Sequence, residues 1–244
     1  MANLSHIQER VELATALRWA ETYGFHEGVC NHFSLAVAPN RFLINPYGWH
    51  WSEITPQCLV LLDEKGTVLE GDEVVEDTAF FIHSEIHKAA PQAKCVLHTH
   101  MPYATAMTLV EGGRLEMCEQ NALMFDGRIS YDDDYTGLAL DESEGARIAR
   151  KLGNGSVLMM ANHGVTVVGP TVRDAFNDLY YLERAAKVQT LAKLHDKPLK
   201  MVSESVREVA RQQFAEDLPK VAERHFGALQ RMLRRDDSRF AHSV

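Results

Sequence analysis

The sequence predicts an α/β protein that folds as one domain. Helical periodicity alternates with short apolar stretches of strand length, and turn sequences containing Pro, Asn and Gly separate them. The chain has 244 residues, 45% of them hydrophobic, which is enough to bury one large core. We find no internal repeat or linker, so we assign residues 1–244 to one domain, with a core over about 5–195 and a helical tail over about 203–235.

The first third of the chain predicts a helix followed by antiparallel hairpins. Apolar residues recur at helical spacing over residues 7–23, and Gly24 ends the pattern. Strand-like stretches follow at 33–38, 41–44 and 59–62, with hairpin-type turn sequences between them.

The rest of the chain alternates helices with buried strands. Pro102 suits the first position of a helix, and Thr171 with Asp174 resembles a helix cap. The predicted strands are residues 94–98 and 156–161. The predicted helices are residues 78–90, a segment from 102, and residues 141–152, 171–194 and 203–234.

Charge and cysteine content exclude several classes of protein. The net charge of −9 argues against nucleic acid or an anionic membrane surface as a partner. No apolar run reaches the roughly 18 residues that span a bilayer. The four cysteines form no C-x-x-C pair and the first ten residues are polar, so we expect reduced thiols and a cytoplasmic protein.

The sequence contains twelve histidines, and the spacing of a few of them indicates a metal site. His98 and His100 are two apart at the end of a predicted strand, where alternate residues share a face. His163 directly follows another buried strand. If the two strands are neighbours, three imidazoles meet at one sheet edge, a set that suits Zn²⁺, with Mn²⁺, Co²⁺ or Fe²⁺ as alternatives.

His83 and His87 form a competing pair. They are four apart on a predicted helix and share one face. They are candidates for direct ligation, for support of other ligands or for packing. The remaining histidines show no informative spacing, so we expect surface or structural roles for His6, His26, His32, His50, His195, His225 and His242.

Six segments match, in order, the motifs of one known family. They are residues 30–34 (N-H-x-S), 42–48 (L-I-x-P-x-G), 83–91, 96–100 (two histidines after a strand), 161–164 (N-H-G) and the helix at 171–186. Over nearly its whole length the chain resembles the class II aldolase/adducin family, in particular the adducin-head-like branch that lacks the usual catalytic carboxylate.

The resemblance implies a three-layer α/β/α fold around a mostly antiparallel sheet. It also implies a cyclic homotetramer with active sites at subunit interfaces. Three histidines, His98, His100 and His163, would be the metal ligands. The residues predicted to contact the substrate are Asn31, Asn45, Gly48, Thr78 and Gln120.

The chain departs from the sugar-phosphate aldolases of that family before the helix at 78–90. Where they have two serines and a carboxylate, this sequence has Asp77, Thr78 and Ala79. Asp77 disfavours a phosphate, and Ala79 cannot transfer a proton. His83, one helical turn later, is a candidate acid or base, with Glu85 as an alternative. Tyr135 lies where the family often has a proton-donating tyrosine.

These features predict a metal-dependent lyase. It would be an aldolase or decarboxylase for a small, non-phosphorylated hydroxy or oxo acid or an aldehyde, acting through a metal-stabilised enediolate. A three-histidine Fe²⁺ oxygenase on the same fold is an alternative. A non-catalytic interaction module of the adducin type is a further one.

Overall fold

A computed structural model describes residues 4–240. They form one eight-stranded sheet in the order β4-β3-β2-β1-β5-β8-β7-β6. The β6–β7 pair is parallel and every other pair is antiparallel, so the sheet is mostly antiparallel, as predicted. The strands are β1 His32–Ala38, β2 Arg41–Ile44, β3 Val60–Asp63, β4 Val68–Glu70, β5 Cys95–Thr99, β6 Ile129–Asp132, β7 Val157–Met160 and β8 Gly164–Gly169.

Seven α-helices cover the two faces of this sheet within the described residues. They are α1 Ile7–Thr22, α2 Asp77–Ala89, α3 Pro102–Thr108, α4 Gln120–Leu123, α5 Glu142–Leu152, α6 Val172–Lys193 and α7 Glu204–Asp236. As predicted, α3 begins at Pro102, and Thr171 caps α6 by accepting from the backbone N–H of Asp174. No described helix is long and apolar enough to cross a membrane.

Alternate residues of each strand pack against different helices, which confirms the three-layer prediction. On one face Phe33, Leu97 and Val167 join a core with α1, α3, α6 and α7. On the other face Val96 and Val168 pack with α2 and α5. The even-numbered residues at the ends of β1 and β5 therefore lie beneath α2, and this places the polar residues described below.

Several short elements were not predicted. The strands β4, β6 and β8 and the helix α4 lie in stretches that the sequence pattern left unassigned. The two glycines that begin and end β8 leave only the short run Val-Thr-Val-Val between them, and β6 is short and half-buried, so both are weak strand signals. The β8 strand matters most, because it lies between β5 and β7 and carries one side of the site.

Candidate metal centre

Three histidines meet where β5 ends and β8 begins, as predicted. His98 lies in β5 opposite Thr166 of β8, His100 follows β5 directly, and His163 precedes β8. One ligand atom from each of the three lies within 4.8 Å of the others. The ring centroids are 4.8–5.2 Å apart. We call His98, His100 and His163 the three-histidine cluster.

A tight turn brings β8 against His100. Asn162 adopts a left-handed conformation, with φ of 57°. Gly164 then passes so close to the end of β5 that an added Cβ would lie 2.6 Å from the Thr99 carbonyl oxygen and 2.6 Å from Cδ2 of His100. Glycine is required at this position because no side chain fits between the two segments.

Neighbouring side chains orient two of the imidazoles. Thr166 Oγ1 is 3.2 Å from Nδ1 of His98, and Glu27 Oε2 is 2.5 Å from Nδ1 of His100. The other nitrogen of His100, Nε2, is buried and has no hydrogen-bond partner in the described part of the chain. An imidazole held at Nδ1 by a carboxylate and open at Nε2 is the usual arrangement of a metal-binding histidine. The cluster therefore fits a divalent cation.

Two imidazoles of the cluster, those of His98 and His163, are neutral at physiological pH. Burial, reinforced by neighbouring histidines, lowers the pKa of His98 well below its usual value and lowers the pKa of His163 to about 4. Metal ions bind the neutral imidazole, so these ligands need not release a proton first.

We expect Glu27 to strengthen metal binding through His100. Replacing Glu27 with Ala removes the carboxylate that orients the ring, so the affinity for Zn²⁺ should fall by about tenfold or more. Competition with a chromophoric chelator measures this affinity. The control is Glu64→Ala, at an exposed glutamate in the β3–β4 turn. Equal affinities of the two variants would contradict the role assigned to Glu27.

His32, expected to have a surface or structural role, lies against the cluster. It is nearly fully buried, pairs across the sheet with His98, and stacks on that ring at a centroid distance of 4.9 Å. Its Nδ1 is 2.7 Å from Nε2 of His83. His83 is fully buried on the side of α2 that faces β1, and His32 links it to the cluster.

The hydrogen bonds continue from His83 into α2 and the sheet. Nδ1 of His83 bonds to Ser34 Oγ, which is also 2.8 Å from Nε2 of His87. Nδ1 of His87 then donates to the carbonyl oxygen of Ala93 at 2.9 Å. We call His32, His83, Ser34 and His87 the histidine chain.

The amino-acid sequence contained a signal for the histidine chain. His32 and Ser34 are two apart on a strand, and His83 and His87 are four apart on a helix, so each pair shares a face. Only the packing of α2 over β1 brings the two pairs together. Direct ligation was one of the roles considered for His83 and His87. Both residues lie outside the three-histidine cluster.

Buried neutral histidines make stability depend on pH. Burial lowers the pKa of His87 to about 4, and the hydrogen bond to Ala93 offsets only part of this. Between pH 6.5 and 4 the unfolded chain therefore binds more protons at His87 than the folded chain. The free energy of unfolding should fall as the pH falls through this window, by about 1.4 kcal/mol per pH unit for this group.

Urea unfolding of the wild type and of His87→Gln between pH 7 and 4.5 isolates this contribution. The wild type should lose stability more steeply, because the variant lacks one of the titrating groups. Parallel pH dependences would contradict the assignment of a neutral His87 in the folded chain.

Tyr135 lies beside the cluster. Its ring centroid is 6.3 Å from that of His163, and 51% of the residue is exposed. It can therefore approach a molecule bound at His163. Glu85, the alternative base, instead forms an ion pair with Lys88, one turn along α2.

Two of the five residues predicted to contact substrate use their side-chain oxygens to bind backbone N–H groups of the protein. Asn31 Oδ1 accepts from the backbone N–H of His100 at 3.3 Å, and Asn45 Oδ1 accepts from that of Phe33 at 2.8 Å. Both amides are almost fully buried. Gly48 lies in the loop after β2 with φ of 79°. These hydrogen bonds hold the start of β1 beside the cluster.

The other two predicted contacts lie at helix starts. Thr78 is in the first turn of α2, and Gln120 is exposed at the first residue of α4, which packs on α6 and α7. Ala79 is buried against Phe42 and neighbouring apolar residues of β2 and β3. No proton-transfer group occupies position 79. Among the other histidines, His242 lies outside the described residues.

Residues 11–190 match the family model described as the class II aldolase and adducin N-terminal domain. The chain belongs to this family. The chain is 32% identical to the decarboxylase NovR of Streptomyces niveus over 203 residues, which cover 82% of this chain and 75% of that protein. An adducin-related protein of Schizosaccharomyces pombe is also 32% identical, over 76% of this chain and 59% of that protein. The chain thus spans about three fifths of this longer relative.

Solved structures of the family share this fold. An aldolase II superfamily protein from Pseudomonas syringae superposes with a TM-score of 0.90 and 32% identity, covering 98% of this chain and 97% of that one. L-fuculose 1-phosphate aldolase from Glaciozyma antarctica superposes with a TM-score of 0.81 at 23% identity, over 96% and 94% of the two chains. The second likeness shows the fold alone.

Proposed function

We propose that this protein is a divalent-metal-dependent lyase. It would cleave a carbon–carbon bond in a small, non-phosphorylated hydroxy or oxo acid, or an aldehyde, by decarboxylation or aldol cleavage. The observation that carries the proposal is the three-histidine cluster, in which Glu27 holds His100 and leaves its buried Nε2 without a partner. Zn²⁺ is the cation we propose, and Mn²⁺, Co²⁺ and Fe²⁺ suit the same ligands.

A cation at this site would act as a Lewis acid that stabilises negative charge on substrate oxygens. The chain supplies the three imidazoles of His98, His100 and His163 to hold it. The residues that fix their geometry are Thr166, Glu27 and Gly164. The positions of these rings are therefore set before substrate binds, which is what efficient catalysis requires.

Ala79 supports decarboxylation over aldol cleavage. Loss of CO₂ leaves a carbanion without the action of a base, so an apolar residue is tolerated at position 79. Asp77, exposed at the start of α2, disfavours a phosphorylated substrate. The similarity to the decarboxylase NovR supports the same choice.

A proton must then reach the new carbanion. We propose Tyr135 as the donor, since it is exposed beside His163. His83 would act at a distance, because its hydrogen bond to Nδ1 of His32 orients a ring that stacks on His98. The remaining contacts proposed for the substrate lie in the segments of Asn31 and Asn45.

The protein acts, in this proposal, as a cytoplasmic homotetramer with active sites at subunit interfaces. Exposed apolar residues near Tyr135, namely Leu138 and Leu140, support burial of this side by a second subunit. All four cysteines are free, as expected in a reducing compartment. Light scattering coupled to size-exclusion chromatography tests the tetramer, and a monomer at micromolar concentration would contradict it.

The reaction is tested with a panel of small hydroxy and oxo acids. Metal-free protein is reloaded with Zn²⁺, Mn²⁺, Co²⁺ or, without oxygen, Fe²⁺, and release of CO₂ or aldehyde is measured. We expect metal-dependent turnover of an acid and none of L-fuculose 1-phosphate. Preference for the sugar phosphate would contradict the proposal. Oxygen consumption with Fe²⁺ would favour an oxygenase, and failure to bind any metal would favour an adducin-type interaction module.

A further inference from the structure

A second cluster of metal-binding side chains lies outside the proposed active site. Glu21, His26 and His50 each offer a ligand atom, and these atoms lie within 4.8 Å of one another. The chain brings them together from the last turn of α1, the loop that follows it and the loop between β2 and β3. We infer that these three residues bind a second divalent transition-metal ion, which fixes the loop between α1 and β1.

The spacing of the two imidazoles fits a shared cation. Nε2 of His26 and Nε2 of His50 are 3.0 Å apart, and the rings meet edge to face at a centroid distance of 4.7 Å. Two nitrogens bound to one tetrahedral zinc lie roughly 3.3 Å apart. Two histidines and one carboxylate are a donor set typical of Zn²⁺ and Fe²⁺.

Hydrogen bonds within the described part of the protein do not satisfy every ring nitrogen of His26 and His50. Nδ1 of His50 is 2.7 Å from Ser52 Oγ, which orients that ring. Nδ1 of His26 is buried and has no hydrogen-bond partner in the described part of the chain. A hydrogen bond between the two Nε2 atoms leaves that nitrogen unsatisfied in either tautomer. A cation between the two Nε2 atoms would replace the hydrogen bond that they share and would leave the ring proton of His26 on Nδ1.

The surrounding backbone favours positive charge. Glu21 lies in the last turn of α1, where the carbonyl groups carry the negative end of the helix dipole. The chain then reverses: the N–H groups of Gly24 and Phe25 donate to Glu21 and Ala20, which returns His26 to the helix end. The carboxylate, the helix end and the paired imidazoles therefore act on the same cation.

This second site would fix the position of the loop between α1 and β1, which lies against the three-histidine cluster. Glu27 directly follows His26 and bonds to His100, and Asn31, in the same loop, accepts from the backbone of His100. A cation at His26 would hold this loop against α1. The role is structural and does not depend on the reaction proposed above.

Zinc stoichiometry tests the inference. Metal-free protein is titrated with Zn²⁺ by calorimetry, and bound zinc is measured by elemental analysis after dialysis. We expect two ions per chain in the wild type and in the control His195→Gln, whose histidine is exposed after α6. His26→Asn, His50→Gln and His98→Ala should each bind one ion, and Glu21→Gln should bind the second ion at least tenfold more weakly.

Hydrogen exchange separates the two sites. In His98→Ala, added Zn²⁺ should still slow amide exchange over residues 25–31. One ion per chain in the wild type with none in His98→Ala would overturn the inference. Two ions retained in both His26→Asn and His50→Gln would also overturn it, as would unchanged exchange in folded His98→Ala protein.

Discussion

Replacing His98 with Ala should lower kcat for the lyase reaction by at least about a thousandfold. The cluster would lose one of its three proposed imidazole ligands. A Lewis acid bound there would contribute several kcal/mol to the rate, and each 1.4 kcal/mol is worth about tenfold. Zinc titration and release of CO₂ or aldehyde measure both effects on the same preparation. Metal at the cluster and activity should be lost together.

Controls separate this loss from unfolding. His98 is buried, so its removal leaves a cavity in the sheet. His163→Ala removes a less buried ligand and should give the same loss, while His195→Ala should keep wild-type activity. Circular dichroism establishes that each variant is folded. A folded His98→Ala or His163→Ala protein with full activity would contradict the proposed function.

Gly164→Ala should weaken metal binding without removing any ligand. The new Cβ would lie 2.6 Å from the Thr99 carbonyl oxygen and 2.6 Å from a ring carbon of His100, so the end of β5 and the His100 ring must move. Mutations of the residues that hold a metal ligand in place lower the metal affinity by about 10- to 100-fold. Overpacking should also cost about 1–3 kcal/mol of stability.

Gly227 provides the matched control. It lies in α7, where the nearest atom to an added Cβ is the flexible end of Arg231, at 3.4 Å. Gly227→Ala should keep zinc affinity and gain up to about 1 kcal/mol from helix propensity. Chelator competition and urea unfolding measure both quantities. Equal zinc affinity in the two variants would show that His100 tolerates the displacement.

The meeting of His98, His100 and His163 at one sheet edge was predictable because the signals are local. The two histidines that end β5 and the histidine before Gly164 each follow a buried strand, and antiparallel pairing of β5 with β8 brings them together. The three-layer fold was implied by the resemblance to the family, which the motifs and their order carry. Helix bounds agreed within about two residues, since Pro102, Asp141 and Thr171 are strong start signals.

The partners of these ligands were not predictable in the same way. Glu27 reaches His100 from a loop 73 residues earlier, and His83 meets His32 only because α2 packs over β1. His26 and His50 come from separate loops with no shared spacing. Such contacts depend on tertiary packing, which no short pattern encodes. Gly164 carried a local signal, but its reason, the close approach to Thr99, is visible only in three dimensions.

Anomalous diffraction at the zinc edge tests the central claim most directly. Crystals grown with zinc should show a peak about 2.1 Å from a nitrogen of each of His98, His100 and His163. Glu27 should remain on Nδ1 of His100, so the coordinating atom of that ring should be Nε2. Zinc bound elsewhere, with no peak between these three imidazoles, would contradict the assignment of this cluster as the metal centre.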